Sequence, residues 1–148
     1  MKKTLLIDGD VLAYQSAFIA QANIQWEGEL WTTHSDLALA KNWVIERFEM
    51  FKEKTGADAF VIAISDKNNF RRKLNPLYKA NRRSKFAPIG LSPMRDWMAE
   101  EYGTVIYPNL EADDTIAIMA TDLTPDEERI IVSIDKDFKS VPCTFYDF

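Results

Sequence analysis

The fold class that this sequence predicts is α/β, a mostly parallel central sheet with helices on both faces. Three observations predict it. Short apolar runs rich in β-branched residues recur at KTLLID (3–8), DAFVIAIS (58–65) and RIIVSI (129–134). Stretches with helical spacing of apolar residues lie between them, as the crossovers of a parallel sheet require. The runs are apolar almost throughout rather than alternating, so each strand must be covered on both sides. With 148 residues and no repeat, linker or low-complexity stretch, a single domain over 1–148 is expected.

The elements follow in order. KTLLID is a buried strand. In DVLAYQSAFIAQA (10–22), Leu12, Phe18, Ile19 and Ala22 fit one broad helical face. IQWEGELWTT (24–33) alternates around Glu27-Gly28 and predicts a small hairpin, with Trp26 and Trp31 covering a core edge. Ser35 is a candidate N-cap for a long helix over 36–55 with Gly56 as its stop. Trp43, Phe48 and Phe51 are its core residues. DAFVIAIS is a second buried strand. Ser92-Pro93 opens a helix to about Tyr102. TVIYP (104–108) predicts a third strand, Glu111 or Ala112 starts a helix to about Leu123, and RIIVSI is a fourth strand.

Composition removes several function classes. No apolar run approaches the ~20 residues of a membrane span. MKKTLLIDGD begins like a signal peptide but turns acidic too soon, so a cytoplasmic protein is expected. The one cysteine, Cys143, leaves no internal disulfide. The one histidine, His34, cannot build a histidine-rich zinc site, and a histidine-based triad is not expected.

The chemistry lies where the strands end. LLI is followed by Asp8, VIAIS by Asp66 and IVSI by Asp135, with Asp10 and Asp137 two residues beyond their partners. NLEADD brings Glu111, Asp113 and Asp114 after the expected third strand. One or two acids suffice to cap a helix, and three ask for a further cause. In a parallel sheet the strand ends share one edge, where α/β proteins bind ligands. Carboxylates gathered there repel unless cations lie between them. An all-oxygen set favours Mg²⁺ or Mn²⁺, one ion or two, over zinc.

Net charge is −5, but it is segregated. Lys67, Arg71, Arg72, Lys73, Lys79, Arg82, Arg83 and Lys85 bring eight positive charges with no acid among them, leaving −13 on the remainder. A basic loop or arch over about 67–90 thus springs from the acidic edge. Such density is a footprint for phosphate, and Phe70, Tyr78 and Phe86 could stack on bases.

These residues resemble the 5′→3′ exonuclease and flap endonuclease family, most closely its phage members. The matching pieces are LLIDGDVLAY (5–14), SDKNNFRRKLNPLYKANR (65–82), LEADDTIAIMA (110–120) and IVSIDKDFKSVP (131–142). Phe70, Arg71, Pro76 (one residue early), Tyr78, Lys79 and Arg82 follow the family's F-R…P-x-Y-K-x-x-R pattern. The resemblance implies a PIN-like, resolvase-like nuclease core with Asp8, Asp66, Glu111, Asp113, Asp114, Asp135 and Asp137 binding metal. It implies that Lys79 and Arg82 touch the scissile phosphate beside Asp8 and Asp135, and that Tyr78 stacks. Arg71, Arg72, Lys73 and Arg83 would be further nucleic-acid contacts. The implied activity is hydrolysis of DNA or RNA-primer phosphodiesters near a 5′ end, a flap or a single-stranded region, by metal-activated water. Family members continue past the DKD stretch with two more aspartates and a helix-hairpin-helix. The expectation is therefore a fragment, a short form, or half of a split enzyme completed by a second chain.

Other classes fit part of the sequence. A DNA-structure-binding or split-enzyme subunit would keep the site and lack turnover alone. A haloacid-dehalogenase-type phosphatase would use Asp8 as nucleophile, Asp10 as general acid, Ser65 as its second motif and Asp113-Asp114 for metal, but leaves DKD (135–137) and the basic segment without roles. A PIN-type ribonuclease is a third, since the sugar is not legible.

Overall fold

The computed structural model describes residues 1–80, 86–122 and 126–148. Strand β1 (Lys2–Asp8) leads into α1 (Gly9–Ile19), followed by the hairpin β2 (Gln21–Gln25) and β3 (Trp31–Ser35). Then come α2 (Leu37–Thr55), β4 (Ala59–Ala63), α3 (Phe70–Leu74), α4 (Leu91–Tyr102) and α5 (Ala112–Thr121). Strand β5 (Glu127–Val132), a 3₁₀ turn (Lys136–Ser140) and β6 (Thr144–Tyr146) complete the order. The main sheet runs β4-β1-β5-β6 with every pairing parallel.

The strand period of two splits the core as both-face coverage requires. Leu5 and Ile7 point to one side, packed in a cluster with Leu12 and Ala17 of α1, Val44 and Phe51 of α2, and Met94 and Met98 of α4. Leu6 points to the other side with Ile131, Ile116 of α5 and Phe138 of the 3₁₀ turn. Among the described residues, no helix is long and apolar enough to cross a membrane.

Several local expectations are corrected. TVIYP is no strand: it makes a single parallel bridge, Val105 to Ala63. The chain then reverses, with Leu110 N–H donating to Tyr107 O at 3.1 Å and Asn109 at φ 66°, so no ladder can extend. β6 was not expected, and its three residues pair with β5 at the edge of the described sheet. On α1 the buried residues are Gly9, Leu12, Ala13, Ser16 and Ala17. Phe18 is 64% exposed and Ile19 49% exposed, while Ala22 belongs to β2. Small residues form the inner face of α1 because neighbouring helices approach it closely. Asp36, not Ser35, caps α2, accepting from Leu39 N–H at 3.0 Å. Gly56, at φ 67°, ends α2 as expected. α4 begins at Leu91 behind Gly90, which leaves Pro93 inside the first turn, where an absent N–H costs nothing. Trp26 and Trp31 are more than half exposed and cover no core edge. Phe48 and Phe51 are buried and Trp43 packs against the core.

Gly9 positions the site. A Cβ there would lie 2.5 Å from Ile62 Cγ2 and 2.9 Å from the Ala63 carbonyl oxygen, and the backbone cannot give way cheaply. Gly9→Ala is expected to destabilise the fold by about 1–3 kcal/mol through overpacking. Gly56→Ala, with open space but positive φ, should cost about 1 kcal/mol. Urea denaturation of both variants checks the order.

Candidate metal and nucleic-acid site

The parallel strands deliver their carboxylates to one edge. Asp8 ends β1 and caps α1, accepting from Val11 N–H at 3.2 Å and from the Ser133 hydroxyl at 3.1 Å. It is 6% exposed. Burial pushes its carboxyl up to about 6, and repulsion from Asp10 and Asp113 adds to the shift, against the lowering effect of the two hydrogen bonds. Asp8, Asp10, Glu111, Asp113, Asp135, Ser65 and Lys79 line one cleft of about 230 Å³. Asp135 and Asp137 continue it with Asp113 and Asp114 above Phe138. Asp135 caps the 3₁₀ turn by accepting from Asp137 N–H at 2.9 Å.

Asp113 and Asp114 are adjacent yet shifted in opposite directions. Burial raises Asp113, helped by the charge on Asp114. Asp114 is lowered chiefly by Arg71, whose two terminal nitrogens lie 2.5 and 2.7 Å from its oxygens. Arg71 also reaches Glu111 at 3.1 Å. Glu111 further accepts from the Tyr78 hydroxyl at 3.2 Å and from Lys79 Nζ at 3.0 Å. Burial pulls Lys79 down, but the contacts to Glu111 and Tyr78 outweigh it and the ammonium is held above its ordinary value.

Asp66 does not line that cleft but the cavity next to it. Its oxygens accept from Asn109 N–H at 2.8 Å and Asn68 N–H at 3.0 Å, and these bonds hold its carboxyl below the usual range. It lines a neighbouring cavity with Lys67, Arg72, Lys79, Arg95, Asp10 and Glu111. Arg72 donates to the Lys67 carbonyl, and Lys73 Nζ lies 2.5 Å from Asn109 Oδ1. Arg82 and Arg83 lie outside the described residues.

The metal and nucleic-acid sets expected from sequence left out four contributors, Asp10, Ser65, Arg95 and Ser133. Asp10 accepts from Ser65 N–H at 2.9 Å and pairs with Arg95 at 3.6 Å; the DGD spacing that puts it in the first helical turn was the available signal. Ser65 also accepts from Ala112 N–H, tying β4 to α5. Arg95 and Ser133 had no local signal, because the fold alone brings them to the edge.

The oxygens of Glu111, Asp113 and Asp114 lie within 4.8 Å of one another, so this group could hold a metal ion. The donor set is all oxygen, and Asp8 beside it accepts two hydrogen bonds and has no ion pair among the described residues. Both observations fit a hard divalent cation.

A parallel α/β sheet with carboxylates at its C-terminal edge and a cationic segment across them defines a class, the resolvase-like nuclease domains. Residues 3–142 match the family model described as 5′-3′ exonuclease, N-terminal resolvase-like domain, and the chain belongs to that family. It is 34% identical to the exonuclease of Escherichia phage T7 and 33% identical to the exodeoxyribonuclease of Enterobacteria phage T3. Each comparison covers 97% of this chain and 51% of the relative, so the chain spans about half the length of these curated relatives. Flap endonuclease Xni of Shewanella pealeana is 32% identical over 96 residues, 63% of this chain and 38% of its own. Membership of this family sets the phosphatase reading aside.

The raised Asp8 carboxyl makes a signed prediction. Its folded value of about 6 exceeds its unfolded value, so its favourable contribution is complete below about pH 4 and is lost as pH rises through 6. Without metal, Asp8→Asn should therefore be more stable than the native chain at pH 8, by at most about 3 kcal/mol. At pH 4 the advantage should vanish. Thermal melts in EDTA at both pH values test this, and an equal effect at both would remove the electrostatic cause.

Proposed function

We propose that this chain carries the phosphodiester-hydrolysing centre of a metal-dependent 5′→3′ exonuclease or flap endonuclease acting on DNA. The observation that carries the reading is the convergence of Asp8, Asp113 and Asp135 in one cleft beside Glu111, with Lys79 of the basic segment on its rim. The named activities of the phage and Shewanella relatives support it. Mg²⁺ or Mn²⁺ suits the oxygen donors, with Asp8, Asp113 and Asp135 as principal holders and Glu111 and Asp137 beside them. Such an ion lowers the pKa of bound water and offsets charge on the phosphate.

The chain's own groups divide the remaining work. Lys79 opposes charge building on the scissile phosphate. Tyr78 offers a ring beside it, and Arg72 and Lys67 line the adjoining cavity as backbone contacts. Arg71 has its guanidinium on two carboxylates, so we assign it to positioning the acids rather than to the phosphate. Asp66 fastens the loop after β4 to the turn before α5, which places α5 and its acids. Residues 1–148 act as one nuclease unit in this reading, with a 5′ end, flap or single-stranded region as substrate, in the cytoplasm of a bacterial host. The half-length match favours a second reading as well: the site is present but turns over only when the rest of a longer protein or a second chain completes it.

The direct test is cleavage of a 5′-labelled flap duplex with Mg²⁺ or Mn²⁺, against EDTA. Metal-dependent cleavage that falls at least about 10²-fold in Asp135→Asn supports the first reading. Cleavage undiminished in that variant sinks the metal-site assignment. A folded, inactive chain that still binds the flap supports the second reading.

Binding as a function of salt separates the arginines. Arg72→Gln should weaken binding and lower the slope of log K against log salt by about one. Arg71→Gln should leave that slope unchanged while reducing cleavage. A lowered slope in Arg71→Gln would return it to the phosphate.

A further inference from the structure

Glu111 is 8% exposed and collects the side chains of the basic segment. Arg71 and Tyr78 donate to its Oε2, and Lys79 donates to its Oε1. The same carboxylate belongs to the oxygen group that could hold a metal ion. One side chain therefore serves two kinds of cation.

The cations of the segment are not held alike. Arg71 sits on α3, whose start is fixed by the buried Asn69 cap and by Phe70 N–H donating to Asn109 O at 2.7 Å. Its fork lies on both oxygens of Asp114, a fit that a planar guanidinium makes and a point charge does not. Among the described residues Lys79 makes one ion pair, from the end of a flexible stem. Its backbone lies at φ 54°, which a side-chain-bearing residue adopts at a cost, in a turn closed by Ala80 N–H on Leu77 O. Its ammonium also lies 4.9 Å from the centre of the Tyr78 ring. Lys79 is thus the cation that can leave.

We propose that Lys79 and a divalent cation compete for Glu111, so that metal loading releases Lys79 from the acidic cleft and frees its ammonium for the substrate phosphate. The proposal rests on the metal-dependent reading above and adds its order of assembly. A divalent ion draws a carboxylate oxygen closer than an ammonium does and repels the ammonium already there. Before metal enters, Lys79 lowers the repulsion among the carboxylates and holds the turn at residues 77–80 against them. After it enters, the segment gains a free positive charge beside the place where phosphate must lie. Coupling of this kind is reciprocal: whatever removes Lys79 from Glu111 must strengthen metal binding.

The test is calorimetric titration of the full 148-residue chain with Mn²⁺. Lys79→Met is expected to bind Mn²⁺ roughly 5-fold tighter or more. Lys73→Met removes the same charge from a lysine paired with Asn109 and is expected to change affinity by less than about 2-fold on the same scale. A second measurement uses the native chain and needs no variant to fold: acetylation of lysines by an N-hydroxysuccinimide ester, resolved by mass spectrometry. Lys79 should be slow to label in EDTA and faster with Mg²⁺, with Lys73 unaffected. Unchanged or weaker Mn²⁺ binding in Lys79→Met overturns the proposal, as does equal tightening in Lys73→Met or Lys79 labelling indifferent to Mg²⁺. No Mn²⁺ binding by the native chain, with Asp113→Asn equally silent, would overturn the metal-dependent reading itself and the competition with it.

Discussion

Like charge gathered in a poorly solvated cleft is the constraint around which this molecule is built. Asp8 is buried at the end of the central strand β1, and its carboxylate is disfavoured there. The fold meets that cost in pieces. Val11 N–H at the start of α1 and the Ser133 hydroxyl at the end of β5 both donate to it. Gly9 lets α1 leave β1 against the backbone of β4 without a Cβ in the way. β1, α1 and the residue after β5 thus meet at one carboxyl group. Sites of this kind trade stability for chemistry, and a divalent cation is the partner the arrangement is suited to receive.

The basic segment belongs to the same electrostatic unit. Its net positive charge is not simply displayed to solvent: Arg71 and Lys79 are bound to Asp114 and Glu111. The acid edge organises the cations, and the cations allow the acids to crowd. Asp66 and Asn109 fasten the base of the segment to the turn before α5. The base of the segment is therefore tied down by short hydrogen bonds to backbone N–H groups, and its cations reach the acids through the side chains of Arg71 and Lys79.

The family match gives this arrangement its context. Residues 3–142 are those of the N-terminal resolvase-like domain, and the phage relatives are about twice as long as the portion matched. The acidic cleft and the cationic segment both lie inside that portion.

How much was legible from residues alone differs by element. β1, β4 and β5 were readable because fully buried parallel strands need uninterrupted apolar residues, and α2 because Gly56 supplies the left-handed stop. The gathering of Asp8, Asp113 and Asp135 was readable too, since parallel strands must end on one edge. TVIYP misled because strand-like composition cannot show that the chain reverses at Asn109. Phe18 and Ile19 misled because helical periodicity does not say which stripe faces a closely packed neighbour, and α1 buries its small residues instead. The sequence by itself determined three of the sheet's four strands, the edge where they end and the segregation of charge, all of which follow from local composition and parallel pairing. Only the tertiary structure decided that Arg71 faces carboxylates, that Asp66 accepts from the backbone of Asn109 and that Asp10 meets Arg95. Those outcomes depend on distances between segments some 40 to 85 residues apart, which hydrogen-bond geometry sets and no local pattern records.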